Sequence, residues 1–263
     1  MYKKSIVIIL VAVVASLFWI WLKPWIDSPT RFSDISIWLK PLLSMSLLAS
    51  LVGLAFFLFK NIWLRILSSA IAGLPFLVVF GVSPFYVGAF VLMILLHIYA
   101  ATNIQEEGNE RTKINFRLAL QRGLSTIIMP FLIMISFAFF LSPGVQMTAT
   151  NRQLPPTVKQ VVESTVNNFL GQQVESLPPQ EQQQAKSEIL NQVLGQITIF
   201  SQPYLKYLPP VLAFGLFLVL EGLSFVFFWL AILFGWLIFE VLKKSGFFRI
   251  SIVQKEAEQL EFW

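Results

Sequence analysis

Apolar residues in this chain come in long runs separated by short polar breaks. The first runs from Ser5 to Leu22, behind the basic start MYKK. Four more cover Ile37–Phe59, Ile62–Phe80, Tyr86–Ala101 and Leu124–Leu141. Each approaches the roughly 20 residues an α-helix needs to cross a hydrocarbon core. The pattern predicts five membrane-spanning helices. Lys60 ends the second, the stretch GVSP (Gly81 to Pro84) turns between the third and fourth, and a Ser-Pro-Gly sequence follows the fifth. Pro75 and Pro130 fall inside spans three and five. Proline removes a backbone donor and kinks a helix, which neighbouring helices in a bundle can absorb. The first run ends in WIWLKPW, with no small-residue cleavage site. It therefore reads as an uncleaved span and not a signal peptide, with Trp19, Trp21 and Trp25 near the outer interface.

The last apolar stretch, 208–244, reads two ways. A single helix from Pro209 to Lys243 would be about 52 Å long, well over the roughly 30 Å of a hydrocarbon core. Glu221, Gly222 and Ser224 could instead turn the chain between two short crossings. A third arrangement lets 209–222 re-enter or lie at the interface while only 225–242 crosses. Six spans are favoured, with seven as the rival, because Lys243, Lys244, Arg249 and Lys255 then return to the side of the N-terminus.

Between these membrane parts lies one sizeable polar region, 143–206. It holds two stretches of helical period, each opened by a Pro pair. One carries Val158, Val161, Val162, Thr165, Phe169 and Leu170 on a stripe; the other carries Ile189, Leu190, Val193, Leu194 and Ile197. The expectation is an extramembrane two-helix hairpin. It is too small to bury a core alone, so it must pack on the bilayer, on itself or on a partner. The domain plan is then a five-span membrane domain at 1–142, the amphipathic hairpin at 143–206, a C-terminal membrane segment at 207–244 and a short cytoplasmic tail at 245–263. The fold class is an all-α polytopic transmembrane bundle with a small external two-helix insertion.

Composition agrees with lipid as the solvent. Apolar residues make up 56% and charged residues 13%, against roughly 25% charged in a soluble domain. The net charge of +5 does not indicate nucleic acid, since the basic residues flank apolar runs. They set orientation instead. Lys3, Lys4, Lys60, Arg65, Arg111, Lys113, Arg117 and Arg122 fall on one side of the first five spans, and only Lys23, Arg31 and Lys40 on the other. A cell (inner or plasma) membrane with a cytoplasmic N-terminus follows. There is no cysteine, which removes disulfides, thiolate nucleophiles and Cys-ligated metals.

Three ionisable residues lie in apolar runs: His97, Glu221 and Glu240. Such residues are expensive in lipid and are functional candidates by default. Glu240 sits one turn from Lys243 and Lys244, which reads as an interfacial ion pair. His97 is the sole histidine, so a histidine metal cluster is excluded and a structural hydrogen-bonding role leads. Glu221 and His97 are the candidate transport residues. Val158, Val162, Phe169, Ile189, Val193 and Ile197 are the candidate partner-binding surface. Small residues recur four apart at Ala49/Gly53, Ser69/Gly73 and Ala231/Gly235, which lets helices approach closely. No catalytic, metal or nucleotide motif is present, and no cofactor is expected. The expectation is a non-catalytic membrane scaffold or complex subunit, bound to the bilayer and to a protein partner or a second copy through 143–206. The alternative is a permease-like protein for a small or hydrophobic solute.

Overall fold

A few polar side chains and two glycines set the helix boundaries. Asn61 accepts the Trp63 N–H at 2.9 Å, and Asn115 accepts the Leu118 N–H at 3.3 Å. Each thereby opens a helix by satisfying one of its orphan donors. Gly81 stops the helix begun at Asn61 at φ +92°, a conformation that strains any residue with a Cβ. Pro84 then begins the next helix. In the computed structural model, which describes residues 2–27, 35–110, 115–150, 162–166, 179–201 and 205–248, the helices are α1 (Tyr2–Asp27), α2 (Ile35–Leu58), α3 (Ile62–Phe80), α4 (Pro84–Glu110), α5 (Phe116–Phe140), α6 (Pro143–Thr150), α7 (Pro179–Ser201), α8 (Leu208–Gly222) and α9 (Ser224–Lys244). Among the described residues there is no strand. The fold is all-α.

Six of these helices, α1 to α5 and α9, are long and apolar enough to cross a membrane. They form a bundle with two central members. The apolar windows of α2 and α5 are 72% and 67% buried, against 28 to 33% for the other four. Around this pair, α1 packs on α2 and α3, α4 on α3 and α5, and α9 on α2 and α5. The outer helices turn large apolar side chains outward: Ile9, Val13 and Ile20 on α1, Val78 on α3, Leu95 on α4, and Trp229 and Val241 on α9. A water-soluble protein does not display so extensive an apolar surface. The chain is an integral membrane protein.

Ring contacts identify the two ends of the bundle. At one end Phe116 of α5 stacks on Phe239 of α9 at 4.6 Å, and Phe57 of α2 lies 5.2 Å from Phe116. At the other, Phe85 of α4 meets Phe137 and Phe140 of α5 at 6.5 and 6.1 Å. There too Lys23 of α1 donates to the Val79 carbonyl in the last turn of α3 at 3.0 Å. A cation at a helix C-terminus opposes the negative end of its dipole.

The stretch 208–244 bends without reversing. Leu223, between α8 and α9, has φ −89° and ψ −2°, and its N–H still bonds the Val219 carbonyl at 3.0 Å. The two helices barely touch each other; α8 packs on α5 and α6, whereas α9 packs on α2 and α5. At 15 residues, α8 is about 22 Å long, shorter than a hydrocarbon core. The break falls at the Gly222–Ser224 segment, as a kink and not as a hairpin turn.

Other details differ from expectation. α4 continues past Ala101 to Glu110. Gln105 there donates to the Phe59 and Phe56 carbonyls at 2.8 and 3.2 Å, and Glu107 pairs with Arg122 at 2.9 Å. These polar ties support a helix beyond its apolar run. α5 likewise begins at Phe116, eight residues before the apolar run that starts at Leu124. Trp19 is wholly buried and donates its indole N–H to the Ala72 carbonyl at 2.9 Å, so it is a core residue and not an interface anchor.

Of the 143–206 region, residues 162–166 are helical and α7 spans most of the second amphipathic stretch. Val162, Ile189, Val193 and Ile197 are half-buried. Val158 and Phe169 lie outside the described residues, as does the tail from 249. No described element packs along α7.

Candidate functional site

The polar side chains inside the bundle are few, and nearly all are spent on backbone carbonyls. Ser44, Ser46, Ser68 and Ser136 each donate to a carbonyl four residues earlier. Ser50 and Ser142 donate to one three residues earlier. Ser69 is different. Its hydroxyl lies 2.8 Å from Nδ1 of His97, on the next helix.

His97 is 0% exposed and stands within α4, further from the helix end than the apolar run alone implied. Its Nε2 is 3.2 Å from the Ile127 carbonyl of α5. A carbonyl can only accept, so Nε2 carries the proton and donates. An unpaired imidazolium would be costly in this apolar setting, so the ring is neutral. Nδ1 then accepts from the Ser69 hydroxyl. Phe56 and Phe131 close over the ring edge-on, at 5.7 and 5.3 Å. The imidazole is a clasp joining α3, α4 and α5, with both nitrogens engaged.

Its acceptor lies three residues before a proline. Pro130 cannot donate to the carbonyl four residues back and crowds that turn of α5. Ile127 lies in the same turn. The arrangement recurs on α3, where Pro75 follows Ala72 by three residues and Trp19 of α1 supplies the N–H. In both helices the carbonyl that loses its usual donor to the proline is the one just before, Thr126 and Ile71. Both prolines and His97 are visible in the sequence, but nothing in their spacing connects them. A ring N–H on a neighbouring helix was the available clue, and only the packing shows which ring it is.

Glu221, the other candidate transport residue, is exposed on the outside of α8 at the kink. The structure does not bring it together with His97. Glu240 lies 3.9 Å from Lys243, the pairing expected for an interfacial turn. The small-residue pairs are all buried at helix contacts. Gly53 faces Leu120 and Ile127 of α5, Gly73 faces Phe90 and Met93 of α4, and Gly235 faces Leu120 and Phe116 of α5.

Two cavities stand out. A cleft of about 190 Å³ is lined by Lys4, Val7, Leu58, Phe59, Phe247 and Phe248. A void of about 20 Å³ lies among Phe18, Leu22, Trp25, Trp38 and Ile135, with Leu220 and Phe227 from either side of the kink. The second has room for about one water at most. Among the described residues no group of three or more His, Cys, Asp or Glu could hold a metal ion. Comparison with family models, with curated proteins and with solved structures finds no match to this chain.

Proposed function

We propose that this protein is a non-catalytic membrane subunit or scaffold that holds a protein partner, or a second copy of itself, through the 143–206 region. One observation carries the reading: apart from the Trp25 indole N–H and the Arg65 Nε, the described buried polar side chains serve as ties within and between helices. His97 has both ring nitrogens engaged. Trp19 and the half-buried Gln105 each donate to a carbonyl on another helix. A solute path needs polar lining groups that are free to exchange partners. The alternative, a permease for a small or hydrophobic solute, would have to use Glu221 or His97.

In this reading the chain crosses six times, in the cell membrane, with its N-terminus in the cytoplasm. The return of Phe247 to a position beside Val7 and Phe59 supports an even number of crossings. So does the gathering of Lys4, Lys60, Arg65, Arg117, Arg122, Lys243 and Lys244 on helix ends that belong to that face. The partner surface combines Val158, Val162, Phe169, Ile189, Val193 and Ile197.

Replacing 155–200 by a short polar linker tests this. The expected result is an unchanged melting temperature of the membrane bundle in detergent, with loss of a stoichiometric co-purifying chain or of the dimer. A truncated protein that keeps its assembly, together with solute flux abolished by Glu221→Gln, would establish the permease instead.

A further inference from the structure

The cleft at the N-terminal end of the bundle is built by a helix stop. Beyond the end of α9, Gly246 takes φ +68°, with the Gly246 N–H bonded to the Lys243 carbonyl at 3.2 Å and the Phe247 N–H bonded to the Leu242 carbonyl at 3.0 Å. This is the glycine C-cap in which two backward bonds close the last turn. It folds the chain back, so that Phe248 lands 5.0 Å from Phe239 and Phe247 packs with Val7, Ala55 and Phe59. The result is a cleft of about 190 Å³ between α1, the end of α2 and this returning segment.

Its position and chemistry are those of a lipid site. The apolar part of α1 begins at Lys4, that of α2 ends at Leu58, and α9 ends at Lys244, so the cleft sits where three spans meet the headgroup layer. Its walls are Val7, Leu58, Phe59, Phe247 and Phe248, and its one charged lining residue is Lys4. Lys60 follows Phe59 directly, and Lys244 lies three residues before Phe247. Lys4, Lys60 and Lys244 make no ion pair among the described residues. Apolar walls beside Lys4, with Lys60 next in the chain to Phe59 and Lys244 in the last turn of α9, suit a phosphate headgroup with acyl chain below it, and basic pockets between membrane helices take anionic lipids on this basis.

We propose that this cleft binds one anionic phospholipid, its phosphate near Lys4, Lys60 and Lys244 and its upper acyl chain against Phe59, Phe247 and Phe248. The site would cover the seam between the first and last spans. It does not depend on the partner reading of 143–206.

The test uses the full chain in nanodiscs of equal phosphatidylglycerol and phosphatidylcholine, extracted into mild detergent, with retained lipid measured by mass spectrometry. Wild type should retain phosphatidylglycerol in preference to phosphatidylcholine. Lys4→Gln should weaken that retention about fivefold, and Lys4→Gln with Lys244→Gln by about fivefold for each lysine. Lys206→Gln, at the far end beside Tyr207, should leave it unchanged. Melting curves of every variant confirm the fold. Equal retention of the two lipids by wild type would overturn the proposal. So would a double variant that binds like wild type, or displacement of the lipid by inorganic phosphate at equal concentration.

Discussion

His97 and Trp19 perform the same task in different parts of the bundle. Each lends a ring N–H to a carbonyl three residues before a proline, Ile127 before Pro130 and Ala72 before Pro75. The prediction at this scale concerns the clasp. Ser69→Ala removes only the hydroxyl that serves Nδ1 and should cost ~1 kcal/mol, the usual worth of a hydrogen bond between membrane helices. His97→Ala also removes a ring packed against Phe56 and Phe131 and should cost ~2–4 kcal/mol. Thermal melts of the purified protein in one detergent should rank wild type above Ser69→Ala and both above His97→Ala. A His97→Ala protein as stable as wild type would show that the clasp ties nothing together. The sequence made His97 visible as an ionisable residue in an apolar run. It could not show the partners, because Ser69 and Ile127 are brought to it by helix packing and not by spacing along the chain.

Helices here approach one another where a side chain is missing, and the cost of supplying one differs by position. A methyl on Gly123 of α5 would press on the Ile104 side chain and stand 3.0 Å from the Ala100 carbonyl oxygen of α4, which is backbone and cannot rotate away. Gly222, at the end of α8, has nothing within 4 Å of where a methyl would stand. Gly123→Ala should therefore destabilise the protein by ~1–3 kcal/mol, as overpacking does. Gly222→Ala should be neutral or stabilising by up to ~1 kcal/mol, since it only restricts the unfolded chain. Unfolding midpoints in a graded SDS series would measure both, and a tolerated Gly123→Ala would mean that α4 and α5 are less closely apposed than described. At this scale the apolar runs foretold α1, α2 and α3 closely. The ends of α4 and α5 were harder. Residues 102–110 and 116–122 carry polar and charged groups and lie outside the apolar runs, and Gln105, Glu107 and Arg122 use those groups to fasten one helix to the next.

For the whole molecule, the question is which segments share a face. The chain has no cysteine, so single introduced thiols report cleanly. Phe247 beside Val7 and Phe59, and Lys23 beside Val79, assign the ends. Lys60→Cys and Ser245→Cys should react with an impermeant maleimide from one side of sealed vesicles. Lys23→Cys and Lys206→Cys should react from the other. Labelling of Ser245→Cys together with Lys206→Cys would require a seventh crossing and undo the six-span plan. It would also remove the cleft between the first and last spans.

That lipid surrounds this chain was decided by its sequence alone. Burial of six apolar stretches of that length has one inexpensive solution, a helix whose backbone bonds are internal and whose side chains face hydrocarbon or each other. What the sequence left open was the path of 208–244, because a polar residue beside glycine and serine fits a turn and a kink equally well. Tertiary packing settled the shape of that segment. α8 and α9 each found a better neighbour in α5 than in one another, so the backbone at Leu223 bent and did not fold back. The hydrogen-bond partners of His97 and Trp19 were settled the same way, since each depends on which distant carbonyl the bundle places within reach.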